Sequence, residues 1–235
     1  MAQPPIELFG VEILEPVTTF TDLIVSAVCF YAFYWLQKSG RTKKVFLFLK
    51  YYFLTMGIAT AFGGLIGHAF LYLFSFGWKL PGWIISMLSI MLLERASIEH
   101  ARPLITKKLA QTFRVVNMVE LLTFIAITMY TLNFRFVEIH SGYGLMFVVL
   151  SLQLYVYLKT RNTASRYFLI GVFWAAVSAL IYMNELSLHT YMNHYDMSHL
   201  VMAIAAFYFF KGAKYLTIVD PQDVKFALNF NWKIF

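Results

Sequence analysis

Cysteine, charge and the residues that break secondary structure are all scarce in this sequence of 235 residues. Cys29 is the sole cysteine, which excludes an internal disulfide framework and a cysteine-rich metal site. Only 13% of the residues are charged, against about 25% in an average soluble domain. The 12 glycines and 6 prolines are too few for a collagen-like or disordered chain. Any chemistry must therefore use histidines, carboxylates, hydroxyl groups or the backbone.

Apolar residues are abundant instead: 60% of the chain is hydrophobic, and the mean hydropathy is +0.66. Runs close to the roughly 20 residues that cross a bilayer occur seven times. We therefore predict an all-α, seven-transmembrane-helix bundle that forms one domain over residues 1–214. Helices 1 to 7 are expected at about Val17–Leu36, Tyr51–Leu71, Gly82–Leu93, Val115–Leu132, Tyr143–Leu158, Tyr167–Met183 and Met197–Phe210.

The distribution of Lys and Arg predicts how the bundle is oriented. With seven crossings, all but Lys79 and Arg135 of the 19 basic residues fall in loops on one side of the membrane. Basic loops are cytoplasmic in membrane proteins. The N-terminus is therefore expected outside and the C-terminus in the cytoplasm. Because topology explains the net charge of +7, we do not expect binding to nucleic acid.

A cytoplasmic tail is expected over residues 215–235. From Lys225 to Phe235, apolar and polar residues alternate with the period of a β-strand. A lone strand is not stable in water. The tail is therefore predicted to lie on its own helices or the membrane surface, or to contact a protein partner or a second copy of this chain.

Ionisable residues inside a membrane are costly, and each is by default a functional candidate. Asp22 of helix 1, His68 of helix 2, and His194, Asp196 and His199 around the start of helix 7 all fall in the outer layer of the predicted bundle. We interpret this layer as a polar pocket for a metal ion or a lipid headgroup. His68, His199, His194 and Asp196 are its candidate metal ligands, with zinc as the candidate metal, and Asp22 is the candidate catalytic residue.

Small residues predict which helices meet at this pocket. Gly57, Ala61, Gly64 and His68 share one face of helix 2, and His199 shares a face of helix 7 with two alanines. Small residues allow transmembrane helices to approach closely. Helices 2 and 7 are therefore expected to touch, with their histidines at the outer end of the contact.

Several alternatives stay open at this point. His68 and His194 can each hydrogen-bond a neighbour or the headgroup region, and Asp22 can cap helix 1. A b-type haem held by His68 and His199 is geometrically conceivable. A retinal protein is excluded, because helix 7 has no lysine near its middle. A second polar group, Glu94, Arg95, Glu99, Asn117 and Glu120, is predicted to form a structural ion pair between helices 3 and 4.

Three segments resemble the CREST superfamily of seven-helix intramembrane hydrolases, which includes the alkaline ceramidases. They are TTFTDLIVSAVCF in helix 1, GIATAFGGLIGHAF in helix 2 and YDMSHLVMAIAAFYFF in helix 7. The resemblance implies a zinc site at the outer end of the bundle, with His68 and His199 as ligands. Gly64 stands where that superfamily has serine, Tyr195 where it has a second helix 7 histidine, and Lys79 at the spacing of its aspartate.

Two functions follow from this comparison. The three departures favour a non-catalytic subunit or scaffold of a membrane complex that retains the CREST-like bundle. The alternative is a metal-dependent hydrolase of a lipid amide or ester. The pattern also resembles a bacterial seven-helix family of unknown function, which implies a multi-pass protein of the bacterial inner membrane.

Overall fold

The computed structural model describes residues 3–219, and most of this part is helical. The predicted strand in the tail lies outside the described residues. A short hairpin of β1 (Ile6–Leu8) and β2 (Val11–Ile13) comes first. The α-helices that follow are α1 (Pro16–Lys38), α2 (Lys44–Phe62), α3 (Leu80–Ala101), α4 (Lys107–Thr131), α5 (Arg135–Tyr143), α6 (Leu150–Thr160), α7 (Thr163–Met183) and α8 (His194–Tyr215).

Two π-helical turns join the shorter pieces into longer segments. One, Gly63–Ala69, extends α2, and the other, Gly144–Val149, joins α5 to α6. Six of the resulting segments are long and apolar enough to cross a membrane. They are Pro16–Lys38, Lys44–Ala69, Phe76–Leu104, Lys107–Thr131, Arg135–Thr160 and Thr163–Met183. The chain is therefore a helical, multi-pass membrane protein.

The remaining helix, α8, has 22 residues but is less apolar. Asp196 and His199 lie near its start, and Lys211 and Lys214 lie near its end. Its outer surface still includes the exposed Phe207. A seventh crossing by α8 and the N-outside orientation both stay predictions.

Helix α1 packs on both α2 and α8. A Cβ atom on Gly57 of α2 would lie 2.9 Å from the ring of Phe30 of α1, and Ser26 of α1 donates a hydrogen bond to the Gly57 carbonyl at 2.8 Å. The small-residue face of α2 thus packs against α1. Predicted helix 7 corresponds to α8 of the structure. The prediction that the small-residue face of α2 packs against this helix is wrong, because α1 occupies the position.

Helices α7 and α8 interlock through a glycine and a phenylalanine on each. A Cβ atom on Gly171 would lie 2.5 Å from Cδ1 of Phe209, and one on Gly212 would lie 2.9 Å from the ring of Phe168. Small residues at such contacts let transmembrane helices approach closely. This contact fixes α8 in the bundle and with it the position of His199.

Replacing Gly171 with alanine is expected to destabilise the protein. The new methyl group overlaps the Phe209 ring, and overpacking of this kind costs about 1–3 kcal/mol. Thermal unfolding in detergent would measure the loss. Gly142→Ala is the matched control, because a Cβ atom there meets nothing within 4 Å. A melting temperature for Gly171→Ala equal to that of wild type would contradict the prediction.

Candidate functional site

Three ionisable side chains from different parts of the chain converge at one end of the bundle. Asp22 comes from α1, His68 from the π-helical turn after α2 and His199 from α8. Oδ2 of Asp22 lies 3.9 Å from Nε2 of His68, and Oδ1 lies 3.5 Å from Nε2 of His199. The centroids of the two imidazole rings are 6.2 Å apart. Both histidines therefore present the same nitrogen to one carboxylate.

The other nitrogen of each ring has a partner of its own. Nδ1 of His68 contacts the carboxylate of Glu15, and Nδ1 of His199 lies 3.2 Å from the hydroxyl of Thr21. Such contacts fix the orientation of an imidazole and leave the opposite nitrogen free for a ligand. The Asp22 side chain is 8% exposed, His68 17% and His199 21%, so the carboxylate is buried and the two imidazoles are partly exposed.

Gly64 allows Asp22 to enter this cluster. A Cβ atom on Gly64 would lie 3.0 Å from Cβ of Asp22 and 3.1 Å from the carbonyl oxygen of Thr19. The side chain of Asp22 thus takes the space that a side chain at position 64 would need. His68 follows in the same π-helical turn, and turns of this kind frequently occur at functional sites. Asp22 does not cap α1, since the helix begins at Pro16.

The N-terminal hairpin positions Glu15 beside His68. Its two-residue turn, Phe9 and Gly10, has positive φ angles of 53° and 79°, as hairpin turns require. The amide of Leu14 donates to the carbonyl of Ala69 at 3.1 Å, which ties the hairpin to the turn that carries His68. Our sequence analysis missed both the hairpin and Glu15. The glycine between two short alternating runs was the signal that could have found the hairpin, whereas no local pattern pointed to the contact of Glu15 with His68.

The contact with His68 makes the stability of the protein depend on Glu15 and on pH. The hydrogen bond to His68 holds the pKa of Glu15 below its ordinary value, despite partial burial. A carboxylate with a lowered pKa stabilises the fold above its unfolded pKa, and this contribution is lost as pH falls through the lowered pKa.

Glu15→Gln is therefore expected to lower the melting temperature at pH 7. The difference from wild type should shrink as pH falls below about 4.3, the ordinary pKa of glutamate. Thermal unfolding in detergent at several pH values would measure it. Glu12→Gln, at an exposed glutamate of β2, is the control and should match wild type. A difference that stays constant with pH would contradict the assignment.

Asp196 and His194 are not part of the cluster. Asp196 is fully buried in a capping box with Asn193, whose backbone amide donates to it at 2.7 Å. It also accepts hydrogen bonds from Gln3 at 2.6 Å and Thr18 at 2.8 Å, so both of its oxygens are engaged. The ring of His194, at the first residue of α8, packs on Tyr195. The structure thus assigns Asp196 to holding α8 against α1.

The second polar group divides into two parts. Glu99 of α3 pairs with Arg114 of α4, and Arg95 of α3 donates a hydrogen bond to the side chain of Asn117 of α4. These contacts join the two helices, as predicted for a structural ion pair. Glu94 accepts a hydrogen bond from Asn117 at 3.0 Å, and both Glu94 and Glu120 lie beside His140 of α5. We did not consider His140 in the sequence analysis, because no spacing rule relates a residue of α5 to residues of α3 and α4.

A cavity of about 550 Å³ lies at the opposite end of the bundle, where the loop after α6 meets the end of α8. Its lining includes Arg161, Asn162 and Thr217. Within residues 3–219, it includes none of the candidate ligands. The converging carboxylate and imidazoles therefore form the candidate site, and the cavity is a separate feature.

Comparison with known proteins gives a family without a function. No curated protein and no solved structure matches this chain. The sequence profile described as a family of unknown function (DUF6962) matches residues 17–218, which include Asp22, His68 and His199. Since the match covers most of the chain, from the start of α1 to beyond the end of α8, this protein belongs to the DUF6962 family.

Proposed function

We propose that Asp22, His68 and His199 bind a divalent metal ion, zinc in the first instance, and that the protein hydrolyses a lipid amide or ester. The observation that carries this proposal is the approach of both Nε2 atoms to the Asp22 carboxylate, with each Nδ1 atom held by a separate partner. Two histidines and one carboxylate are an established ligand set for catalytic zinc.

The distances from Asp22 to each histidine are close to those that this ligand set requires. Ligand atoms about 2.0–2.1 Å from a tetrahedral zinc ion lie roughly 3.3–3.5 Å from one another. The Asp22 oxygens lie 3.5 and 3.9 Å from the two imidazole nitrogens. The rings of His68 and His199 stand wider apart, so they must turn inward to share one ion.

The position of the cluster indicates the class of substrate. Asp22 lies less than two turns into α1, and His68 is near the last residue of the segment Lys44–Ala69. In a bilayer this depth corresponds to the headgroup boundary, where the amide or ester carbonyl of a lipid is found. Zinc bound there would polarise that carbonyl and lower the pKa of a bound water molecule. Glu15 would hold His68 in the required orientation.

A second candidate function is a non-catalytic subunit of a membrane complex. It is favoured by Gly64 and Tyr195, which stand where the CREST superfamily has a serine and a metal-binding histidine. Asp196 cannot replace that histidine while its oxygens accept hydrogen bonds from Gln3, Thr18 and Asn193. One feature favours the hydrolase. Asp22 occupies the space that a side chain at position 64 would need, and so its carboxylate can replace the missing serine in the site.

Metal content and lipid turnover would test the proposal. The purified protein is expected to hold at least one zinc ion per chain by elemental analysis and to release fatty acid from a short-chain lipid amide or ester. Chelation should remove the activity, and added zinc should restore it. Zinc without hydrolysis would favour the non-catalytic subunit. Absence of zinc from protein that was purified without chelators would overturn the metal site.

We also propose that the site faces outward, because the basic loops predict that orientation. Lys43, between α1 and α2, is expected inside, and Lys79, before α3, outside. In a Cys29→Ala background, a membrane-impermeant thiol reagent should label Lys79→Cys in intact cells, and Lys43→Cys only after lysis. Labelling of Lys43→Cys in intact cells would reverse the orientation.

A further inference from the structure

Glu94 of α3, Glu120 of α4 and His140 of α5 form a second cluster of potential metal ligands. Each offers one ligand atom, and these atoms all lie within 4.8 Å of one another. Glu94 and His140 are fully buried, and the side chain of Glu120 is 10% exposed. All three helices belong to segments that can cross a membrane. The cluster is separate from the site of Asp22, His68 and His199.

The orientation of His140 suits a ligand. Its Nε2 atom lies 3.0 Å from the carbonyl oxygen of Met87, and its Nδ1 atom lies 2.7 Å from Oε1 of Glu120. A carbonyl oxygen can only accept a hydrogen bond, so Nε2 must carry a hydrogen. Contacts of this kind fix the imidazoles that bind metals. The other nitrogen, Nδ1, therefore points to the carboxylate, and a metal ion bound to both atoms would replace the hydrogen between them as the two atoms move apart.

Two carboxylate oxygens in this cluster are unused. Within residues 3–219, Oε1 of Glu94 and Oε2 of Glu120 are buried without a hydrogen-bond partner. In the same part of the chain, no Lys or Arg nitrogen lies within 4.0 Å of either carboxylate. The neighbouring Arg95 donates instead to Asn117 and to the carbonyl of Arg114. Within residues 3–219, His140 is the one potential cation beside Glu120, and Glu94 has the amide of Asn117, which donates to its Oε2 atom at 3.0 Å. Burying two carboxylates with so little compensation is costly, above all inside a membrane.

The backbone of the fifth membrane segment makes room for the cluster at Gly144. A Cβ atom there would lie 2.6 Å from Oε1 of Glu94 and 2.5 Å from Cγ2 of Ile90. The same glycine begins the π-helical turn Gly144–Val149, and such turns frequently occur at functional sites. The unused oxygen of Glu94 thus approaches the helix that carries His140.

We propose that Glu94, Glu120 and Nδ1 of His140 bind a divalent first-row metal ion between α3, α4 and α5. Two carboxylates and one imidazole suit manganese, iron or zinc, and the ion would neutralise both buried charges. The proposal does not depend on the function assigned to the site of Asp22, His68 and His199.

Manganese binding to the full-length protein in detergent would test this site. Free Mn²⁺ gives a strong paramagnetic resonance signal that weakens on binding, so titration yields the affinity. Glu94→Gln and Glu120→Gln should each lower the affinity at least ~100-fold, since even partners outside the ligand shell change metal affinity by 10–100-fold. Glu99→Gln, on the same helix but paired with Arg114, is the matched control. His199→Ala should also retain Mn²⁺ binding, which separates the two sites.

A check of folding and a second spectroscopic measurement show whether a loss of Mn²⁺ binding reflects a lost ligand or an unfolded protein. The glutamine variants remove buried charge and should fold, and size-exclusion chromatography would verify this. If they do not fold, the nuclear modulation of Mn²⁺ bound to the double variant His68→Ala/His199→Ala, which leaves no imidazole at the first site, should show one directly bound imidazole nitrogen. Binding that is unchanged in folded Glu94→Gln and Glu120→Gln would overturn the proposal, as would the lack of any bound Mn²⁺ at millimolar concentration.

Discussion

His199→Ala is expected to remove one zinc ion per chain and to abolish lipid hydrolysis. His199 is one of two imidazoles that face Asp22, and its Nε2 atom lies 3.5 Å from the carboxylate. Without His199, Asp22 and His68 are the two remaining ligands, and two ligands cannot hold zinc through purification. Even loss of a partner outside the ligand shell weakens metal binding by about 10–100-fold, so a lost ligand should cost more. Elemental analysis and fatty-acid release would measure the two effects.

His68→Ala should give the same result, whereas His194→Ala should not. His194 has the same side chain at the start of the same helix as His199, but its ring packs on Tyr195 and Tyr182. Equal zinc content in the wild type, His68→Ala and His199→Ala would rule out the shared site. Loss of zinc in His194→Ala as well would indicate a general disturbance of α8 instead of a lost ligand.

Asp196→Ala is expected to lower the free energy of unfolding by about 3–5 kcal/mol. Its buried carboxylate accepts three hydrogen bonds, from Gln3, Thr18 and the backbone of Asn193. Alanine leaves these donors without their acceptor, and each unsatisfied buried group costs about 1–3 kcal/mol. The negative charge also lies in the first turn of α8, where it interacts favourably with the helix dipole. Denaturant unfolding of the protein in mixed micelles would measure the change.

Two controls separate this effect from a simple change of charge. Asp196→Asn keeps one acceptor oxygen and should lose less stability than Asp196→Ala. Glu7→Ala removes an exposed carboxylate of β1 and should change the free energy of unfolding by less than about 0.5 kcal/mol. If Asp196→Ala unfolds at the same denaturant concentration as wild type, the capping box does not hold α8 against α1. In that case Asp196 would again be free to act as a ligand.

The sequence by itself determined that this is a helical membrane protein and where most helices lie. Long apolar runs are local features, and the requirement that backbone groups be satisfied within the membrane converts each run into a helix. The predicted starts are late for α2, α4 and α5, because these helices begin among polar loop residues, at Lys44, Lys107 and Arg135. Hydropathy does not detect such extensions, since polar residues can continue a helix beyond the bilayer.

Only the tertiary structure decided which polar residues meet. Depth along each helix placed Asp22, His68, His199 and Asp196 in one layer, but depth carries no information on the rotation of a helix or on its neighbours. The position of α1 between the small-residue face of α2 and helix α8 brings Asp22 to both histidines and turns Asp196 toward Thr18. Glu15 and His140 were missed for the same reason. Their partners come from distant parts of the chain, and helix packing, which no local pattern encodes, sets those contacts.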